Sequence, residues 1–377
     1  MWVSELSLRD FRNHESTAIT LQPGVTVFIG SNGQGKTNLV EALGYLANLS
    51  SHRVSADKAL VRNGCDEAFV RADVHHESRT VNLALQIKAS GSNRAKKNGQ
   101  TIGVGELVGW LKVVLFTPED LSIIRGDPGT RRRYLDDATV VLRPQLHPVF
   151  SEYDRVIKQR NALLKSSRSL STAQVIDTLT GWDIPLAKLA ATITHHRLQV
   201  INELQPEFSS TYQVIAPQNS VSLALDSPVP HNVSTIDELT DDYSDLIESR
   251  RREEIDRGMT LVGPHRDDLD IVLNDLPGRT HSSHGEAWSL ALSLKMALAQ
   301  VYRRDSLSGD PVMILDDVFA ELDAKRRATL QELVRGFEQV LVTAAVREDI
   351  PDDFVEHVFS VEKGVVSSDA TPPRSTE

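Results

Sequence analysis

One glycine-rich segment, Gly30-Ser-Asn-Gly-Gln-Gly-Lys36-Thr37, constrains the fold of this chain more than any other feature. It follows a short β-branched run, Val25-Thr-Val-Phe-Ile29, and precedes a stretch of helix formers over 37–49. A strand, a glycine turn and a helix in this order are the parts of a P-loop. The glycines let successive backbone N–H groups turn toward phosphate oxygens, and the helix N-terminus adds a favourable potential for anions. The sequence therefore predicts an α/β nucleotide-binding domain, with a purely structural turn as the alternative.

Each residue type in this segment has a predicted role. Lys36 is expected to reach the β- and γ-phosphates of ATP, and the hydroxyl of Thr37 is expected to ligate Mg²⁺. The sequence thus predicts ATP and Mg²⁺ as ligands. The predicted nucleotide-binding residues of the loop are Gly30, Ser31, Asn32, Gly33, Gln34, Gly35, Lys36 and Thr37.

A second element, Val312-Met-Ile-Leu-Asp316-Asp317, is an apolar strand that ends in two acids. Strands often end in aspartate, but together with a P-loop this pattern indicates a Walker B element. Asp316 is predicted to hold Mg²⁺, partly through water, and Asp317 to polarise the attacking water. With Lys36, these two acids are the predicted catalytic residues. The alternative is that both acids only cap the following turn.

The chain between the two motifs changes character. From 120 to 257 apolar residues recur at a spacing of three or four, which predicts helices. Strand patterns return at 268–273, 312–315 and 339–343, whereas 205–233 is predicted to be a loop or a small extra element and 90–100 a basic hairpin loop. The order of motifs predicts an ATPase head that a mainly α-helical arm domain splits in sequence. The predicted parts are 1–119 and 258–366 for the head, 120–257 for the arm and 367–377 for a disordered tail.

A further short segment, Ser282-Ser-His-Gly-Glu286, precedes a predicted helix over 287–302. A serine and a glycine at a helix start offer a hydroxyl and backbone N–H groups to an anion. The alternative is an ordinary capping box, because a glutamate follows Ser283 three residues later.

Composition limits the partners of the chain. The formal net charge of the 377 residues is −11, which argues against a protein that coats nucleic acid by bulk positive charge. DNA would have to meet a local basic patch. The single cysteine, Cys65, cannot form an intramolecular disulfide, and no secretory signal or apolar stretch of about 20 residues is visible, so a cytoplasmic location is expected. Cys65 and the pair His195 and His196 are interpreted as structural, because no zinc spacing surrounds them.

Several longer stretches carry a family resemblance. They are Leu8-Arg-Asp-Phe-Arg-Asn13, the helix start Asn38-Leu-Val-Glu-Ala42, Ser51-His-Arg53, Asp57-Lys-Ala-Leu60, Phe116-Thr-Pro-Glu-Asp-Leu121, Gly126-Asp-Pro-Gly-Thr-Arg-Arg-Arg-Tyr-Leu-Asp136, Gly263-Pro-His-Arg-Asp-Asp-Leu269 and Asp316-Asp-Val-Phe-Ala-Glu-Leu-Asp323. Along nearly the whole chain these stretches resemble the RecF family, in the SMC-like branch of the ABC ATPases.

The resemblance implies an ABC/SMC-like ATPase head that dimerises on ATP. In such dimers a signature segment of one subunit, here Ser282 to Glu286, caps the γ-phosphate that the P-loop of the other subunit binds. Ser283, Gly285 and Glu286 are therefore expected to act in trans, with Asp323 at the same dimer interface. Arg12 and Asn38 are implied as further nucleotide contacts. Two departures, Asp317 in place of the glutamate usual in transporters and Thr343 in place of the switch histidine, indicate slow hydrolysis. The Q-loop position is left open between Glu119 and Asp120.

The resemblance also implies an ATP-dependent DNA-binding protein of recombinational repair. It would form a homodimer at single-/double-stranded junctions or gaps and work with RecR and RecO to help load RecA, while weak ATPase activity resets binding. Predicted DNA contacts are Arg53, Lys96, Lys97, Arg131, Arg132 and Arg133, with Arg94 in the same loop as the two lysines; solvated charge is the alternative for each. The alternative function is an SMC-type structural head in chromosome organisation. A transporter subunit and a nuclease-associated ATPase fit less well.

Overall fold

The computed structural model describes residues 1–54, 56–166, 172–230, 235–304 and 309–368, with the backbone alone at 172–175. Contacts divide the chain into two units, Met1–Leu121 with the described residues from Ala291 onward, and Ser122–Leu290. The first unit is therefore discontinuous in sequence. The second unit ends well beyond the predicted arm boundary at 257, because the strand at 268–273 pairs inside it with a strand at 221–226.

The elements are numbered here in chain order. The strands are β1 (Trp2–Phe11), β2 (His14–Thr20), β3 (Gly24–Ile29), β4 (Glu67–His76), β5 (Arg79–Lys88), β6 (Arg94–Lys97), β7 (Gln100–Ile102), β8 (Val113–Phe116), β9 (Val221–Asp226), β10 (Asp268–Leu273), β11 (Leu276–Pro277), β12 (Val312–Asp316), β13 (Gln339–Ala344), β14 (His357–Glu362) and β15 (Val365–Ser368). The helices are α1 (Lys36–Asn48), α2 (Leu121–Arg125), α3 (Pro128–Leu142), α4 (His147–Ser166), α5 (Thr172–Ile215), α6 (Ile236–Arg257), α7 (Gly278–His281), α8 (His284–Arg304) and α9 (Ala324–Val334).

A parallel sheet forms the centre of the first unit. Its strand order is β15-β14-β3-β13-β12-β8, and only β15 runs antiparallel to its neighbour. The strands are short apolar runs, as expected for strands buried on both faces. Because β13 lies between β3 and β12, the register pairs Thr343 with Asp316 on one side and with Phe28 on the other. The carboxyl ends of the P-loop strand and the Walker B strand therefore open on the same edge.

An antiparallel sheet forms the other part of the first unit, in the order β2-β1-β4-β5-β6-β7. Side chains alternate between its two faces. One face contributes Leu8, Val70, Leu85 and Ala95 to a continuous hydrophobic core with α1. The opposite face is polar.

Helices dominate the second unit. Helices α4, α5 and α6 pack around a core that includes Tyr153, Leu186, Ala190, Leu239 and Tyr243. A small sheet in the order β11-β10-β9 completes the unit. Helix α5 has 44 residues and is thus about 66 Å long at 1.5 Å per residue. Among the described residues no helix has the length and apolarity needed to cross a membrane.

Three sequence-based expectations are corrected. The segment 90–100 is not all loop, because β6 and β7 form a hairpin that turns at Asn98 and Gly99. The segment 205–233 is not a loop from its start either, because α5 continues through Pro206 to Ile215 and β9 follows; 231–233 lie outside the described residues. Ser367 and Ser368 belong to β15, and the rest of the predicted tail, 369–377, lies outside the described residues.

The continuation of α5 has a physical reason. A proline inside a helix costs about 3 kcal/mol. Phe208 and Tyr212 follow Pro206 on one helix face and are fully buried, and each large side chain contributes about 1.5–3 kcal/mol on burial. Burial of these two aromatic side chains contributes enough free energy to offset a cost of this size.

Candidate nucleotide-binding site

The P-loop leaves β3 and enters α1 through residues with left-handed backbone. Gly33 has a φ of 81° and Gly35 a φ of 119°, values that side-chain-bearing residues rarely adopt. A Cβ on Gly35 would also lie 2.8 Å from the side-chain amide of Asn13. Residues 31–33 are exposed, whereas the Lys36 side chain is buried and its Nζ lies 3.5 Å from the carbonyl oxygen of Ser31. The loop is therefore accessible to an anion, and the Lys36 side chain lies buried below the loop.

Two tight turns support the back of the loop, a role that the sequence does not predict for either turn. In the β1–β2 turn, the Asn13 amide donates to the Gln34 carbonyl at 2.9 Å, and His14 Nε2 lies 3.0 Å from the Gly35 carbonyl. In the β14–β15 turn, the Gly364 N–H donates to the Gln34 carbonyl at 2.8 Å. The one signal in the sequence was that Asn13 ends the motif Leu8-Arg-Asp-Phe-Arg-Asn13 and that His14 follows it directly.

His14 is held as a neutral side chain. Burial lowers its pKa, against hydrogen bonds to the carbonyls of Gly35 and Gly364 that raise it. Nε2 lies 3.0 Å from the Gly35 carbonyl oxygen and Nδ1 lies 2.9 Å from the Gly364 carbonyl oxygen, to which the Thr17 hydroxyl also donates at 3.0 Å. The neutral ring has one N–H group and donates it to one of these two carbonyls at a time. The histidine therefore links the sheet to the P-loop without adding a charge.

The Walker B carboxylate lies beside the P-loop hydroxyl. Thr37 Oγ1 donates to Asp316 Oδ1 at 3.1 Å, and Thr343 Oγ1 donates to the same oxygen at 2.6 Å. Thr343 Oγ1 also accepts from the backbone N–H of Asp317 at 2.9 Å. Thr343, noted in the sequence only as a replacement for a switch histidine, therefore orients both acids from β13, the strand next to β12.

Burial raises the pKa of Asp316 to about 6; the Thr343 hydrogen bond opposes this shift, and the neighbouring Asp317 charge adds to it. Such a carboxylate gains from a cation. Of the two residues considered for the Q-loop, Glu119 is exposed and its charge also raises the pKa of Asp316, whereas Asp120 pairs with Lys295 at 2.8 Å.

The donor set suits Mg²⁺. No group of three or more His, Cys, Asp or Glu side chains within the described ranges is placed to hold a metal. Mg²⁺ in phosphate-transfer sites uses one or two protein oxygens and completes its shell with phosphate and water. The Thr37 hydroxyl and the buried Asp316 carboxylate are two such oxygens. These two oxygens fit a Mg²⁺ ion that binds together with a nucleotide, and they are too few to complete its coordination shell without phosphate and water.

Asp317 adopts an unusual conformation next to this pair. Its φ is 52°, in the left-handed region, which aspartate tolerates better than most residues. The side chain is 38% exposed, and Oδ1 lies 3.9 Å from Lys36 Nζ. The carboxylate is thus accessible to water and close to the P-loop lysine.

Arg12, Asn38 and Arg53 belong to a side-chain network centred on Glu41 of α1. The Arg12 guanidinium makes a bidentate ion pair with the Glu41 carboxylate, through hydrogen bonds of 2.6 and 2.9 Å. Arg53 Nη1 donates to Asn38 Oδ1 at 2.8 Å. Burial raises the pKa of Glu41, but hydrogen bonds from Arg12 and Ser51 and the charges of Arg12 and Arg53 outweigh it and lower the pKa. These side chains fix the first turns of the helix behind the P-loop, and the proposed nucleotide contacts of Arg12 and Asn38 remain predictions.

The signature segment lies in the second unit and does form a capping box. The Ser283 N–H donates to Glu286 at 2.8 Å, and the Glu286 N–H donates to Ser283 Oγ at 3.3 Å. Arg125 donates to the Ser282 carbonyl at 2.7 Å and anchors the helix start. Ser283 itself is exposed, so capping does not hide it. Asp323, in the first unit, is likewise an exposed helix cap and accepts from the Arg326 N–H at 2.9 Å.

The predicted DNA contacts divide into accessible and occupied groups. Arg131 is buried and makes two hydrogen bonds of 2.7 Å to Asp268, so the prediction that it contacts DNA is wrong. Arg132 donates to the Asp267 carbonyl at 2.7 Å and is half-buried, whereas Arg133 is exposed. Lys96 is exposed, but Lys97 Nζ lies 3.9 Å above the ring of Trp110.

Comparisons with known proteins agree with this geometry. The family model described as RecF/RecN/SMC N terminal domain matches residues 2–366. The chain is 45% identical to the DNA replication and repair protein RecF of Clavibacter sepedonicus, covering 100% of this chain and 97% of that protein. It is also 45% identical to RecF of Leifsonia xyli subsp. xyli (strain CTCB07), covering 97% and 99%.

Solved structures show the same relationship. A structure of the recombination mediator protein RecF-ATPrS in the RecFOR pathway superimposes with a TM-score of 0.90 at 28% identity, covering 98% of both chains. An Smc head bound to the C-winged helix domain of ScpA superimposes with a TM-score of 0.56 at 15% identity, which shows a shared fold only.

A P-loop and a Walker B strand at one edge of a parallel sheet, in a unit interrupted by a helical insertion, define an SMC-like ABC ATPase head. The extent of the match narrows the class further. The chain belongs to the RecF family.

Proposed function

We propose that this chain is an ATP-dependent DNA-binding protein of recombinational repair, which forms a homodimer on ATP and is reset by slow hydrolysis. The observation that carries the proposal is the meeting of Thr37, Asp316 and Thr343 beside an open P-loop. Family membership supports it, since the relatives are named DNA replication and repair proteins and a solved relative carries ATP.

The P-loop residues bind and position the nucleotide in this proposal. Backbone N–H groups of 30–35 and the ammonium of Lys36 hold phosphate oxygens. Thr37 and Asp316 hold Mg²⁺, which when bound neutralises charge on the phosphates. Asp317 orients water from its accessible position. Its short side chain and its contact with Lys36 support slow turnover and hence a weak ATPase.

The dimer completes the site in this proposal. Ser283 and Gly285 of one copy cap the phosphates that the P-loop of the other copy holds, and Glu286 orients Ser283 through the capping box. Asp323 lies at the same interface between the two copies. ATP then joins two copies, and loss of the γ-phosphate separates them.

DNA and protein partners follow from the family. We propose single-/double-stranded junctions or gaps as the DNA target, RecR and RecO as partners and RecA loading as the outcome, in the cytoplasm at the nucleoid. The RecFOR pathway is named for a solved relative. A structural head in chromosome organisation is the second candidate, favoured only by the fold shared with Smc heads; full-length identity of 45% to RecF proteins favours repair.

Light scattering tests the ATP-driven dimer. Adding ATP with Mg²⁺ is expected to convert monomers to dimers, and Lys36→Ala is expected to abolish the conversion because the buried lysine is lost from beneath the phosphates. Lys188→Ala, which removes an exposed lysine from α5, is the control and should dimerise normally. Monomers throughout, for the unaltered chain with ATP and Mg²⁺, would count against the proposal.

A further inference from the structure

Local hydrogen bonds hold the signature segment, Ser282 to Glu286, in its conformation. The N–H and the hydroxyl of Ser282 donate to the Gly278 carbonyl oxygen at 3.2 and 2.6 Å. Ser283 and Glu286 close the capping box. All of these bonds join residues that are close in sequence, so they fix the shape of the segment but not its position in the second unit.

Arg125 joins the segment to a distant part of the chain. Its Nη2 donates to the Ser282 carbonyl oxygen at 2.7 Å, across 157 positions of sequence. A guanidinium donor at this distance makes a short, charge-assisted hydrogen bond. Because the carbonyl of Ser282 and the N–H of Ser283 belong to one planar peptide group, the bond orients the peptide at which α8 begins.

Helix α2, which carries Arg125, is itself anchored in the second unit. Ile123 and Ile124 are buried, and the buried Arg131 donates to the Gly126 carbonyl oxygen at 3.0 Å. A Cβ on Gly126 would lie 2.4 Å from a carbonyl oxygen of the helix, so this tight helix end requires glycine. The Arg125 side chain therefore extends from a fixed helix.

Strand β10 connects the two anchors. Arg131 also binds Asp268, the first residue of β10, through two hydrogen bonds of 2.7 Å. The same strand packs against α7, where a Cβ on Gly278 would lie 2.9 Å from the Ile271 carbonyl oxygen. Helix α7 leads directly into the signature segment. The segment is thus held from two sides, by α7 along the chain and by Arg125 from α2.

We propose that Arg125 is a positioning residue for the signature segment, and that it keeps Ser283 and Gly285 in place for the nucleotide of a second copy. The proposal rests on the proposed function and adds the support for its contact in trans. Arg125 does not touch the nucleotide of its own copy in this scheme. Its side chain is exposed, so a substitution there should leave the second unit folded.

The proposal makes the effect of Arg125 directional in a mixed dimer. A copy with Lys36→Ala can supply only its signature segment, and a copy with Ser283→Arg can supply only its P-loop. Arg125→Met removes the hydrogen-bond donors and keeps a long side chain. Placed on the Lys36→Ala copy, it should weaken the mixed dimer about fivefold, the equivalent of one hydrogen bond. Placed on the Ser283→Arg copy, it should have no effect, whereas a general loss of stability would weaken the dimer in both placements.

Energy transfer between differently labelled copies, titrated with ATP and Mg²⁺ present, measures the dissociation constant of each dimer. In the otherwise unaltered chain, Arg125→Met alters both sites and should weaken the dimer about 25-fold. The affinity of the monomer for a fluorescent ATP analogue should not change. Arg125→Lys should recover most of the loss, because an ammonium group can also donate to a single carbonyl oxygen. Arg252→Met, which removes an exposed arginine from α6, is the control and should dimerise normally.

The outcomes separate the two proposals. If unaltered copies stay monomeric with ATP and Mg²⁺, the proposed function and the role of Arg125 both fail. If they dimerise, but Arg125→Met weakens the mixed dimer in neither placement or equally in both, only the role of Arg125 fails. Weaker binding of the ATP analogue by the Arg125→Met monomer would also overturn it, because Arg125 would then act on the nucleotide of its own copy.

Discussion

Two neighbouring carboxylates in the second unit have opposite environments. Asp268 receives two hydrogen bonds of 2.7 Å from the buried Arg131. Asp267 is fully buried, neither of its oxygens has a hydrogen-bond partner among the described residues, and the nearest cation, Arg197, lies 3.7 Å away and is shared with Asp136. Burial raises the pKa of Asp267 to about 6, although the Arg197 charge opposes the shift. The Asp268 carboxylate stabilises the folded protein, whereas the ionised Asp267 carboxylate destabilises it at neutral pH.

We expect Asp267→Asn to stabilise the protein at pH 7.5 but not at pH 4.5. A folded pKa above the unfolded one means that the folded state binds more protons between about pH 4 and 6, so this group's contribution to stability falls as pH rises through that range. A shift of two units corresponds to about 3 kcal/mol at neutral pH. Denaturant unfolding of both proteins at several pH values measures the difference.

Comparing variant with unaltered chain is necessary because His265 acts in the opposite direction. Burial lowers the pKa of His265 to about 4, so its contribution to stability rises over the same pH range. Asp268→Asn is the control and should destabilise at pH 7.5, by roughly 3–5 kcal/mol, since it leaves Arg131 buried without its partner. A variant-minus-parent difference for Asp267→Asn that stays constant from pH 4.5 to 7.5 would contradict the assignment.

At the scale of elements, the P-loop depends on two hairpin turns that lie far apart in sequence. The β1–β2 turn supports it through Asn13 and His14, and the β14–β15 turn through Lys363 and Gly364. A phosphate-binding loop must keep its N–H groups aimed inward before the ligand arrives. The two turns are therefore part of the nucleotide site although they contact no phosphate in our proposal.

His14→Ala is expected to weaken ATP binding about fivefold while the protein remains folded. It removes the hydrogen bond to the Gly35 carbonyl and leaves the loop free to move; a net contribution of about 1 kcal/mol per hydrogen bond gives this magnitude. Titration with a fluorescent ATP analogue measures affinity, and circular dichroism checks folding. His75→Ala, on the polar face of the same sheet, is the control. Unchanged ATP affinity with only a lower melting temperature would mean that His14 is purely structural.

At the scale of the whole molecule, the proposed dimer predicts that two inactive variants restore one another. Ser283→Arg should still bind ATP, because its P-loop is intact. It should not dimerise, because the substitution places a bulky charged side chain at the proposed dimer interface. Lys36→Ala should fail to bind ATP. Mixed together, they can form a heterodimer in which one site combines the intact P-loop of one copy with the intact signature of the other.

Differently tagged copies make the heterodimer measurable by pull-down with ATP and Mg²⁺. Recovery of the mixed dimer, with neither variant dimerising alone, is the expected result. Since one of two sites remains intact, activity should reach at most about half that of the unaltered dimer. If the mixture behaves like its components, Ser283 acts on its own copy's nucleotide and the trans arrangement is wrong.

The sequence predicted local features well and distant pairings poorly. Strands β10 and β12 match their predicted ranges to within one residue, because alternating or continuous apolar residues determine them locally. The pairing of Arg131 with Asp268 joins residues 137 positions apart, and nothing near Arg131 distinguishes it from an exposed cation. Thr343 and His14 were missed as organisers of the site for the same reason. Their roles arise only when β13 lies between β3 and β12 and when a turn reaches the P-loop.

The left-handed backbone at Asp317 restricts how this family member can change its rate. Aspartate and asparagine adopt positive φ with little penalty, whereas longer side chains lack the local hydrogen bonding that compensates for it. Replacing Asp317 with glutamate, the acid usual at this position in fast transporters, would lengthen the side chain but strain the main chain by roughly 1 kcal/mol or more. In the proposed mechanism, the identity of the acid that orients water is therefore coupled to the backbone conformation of the turn after β12.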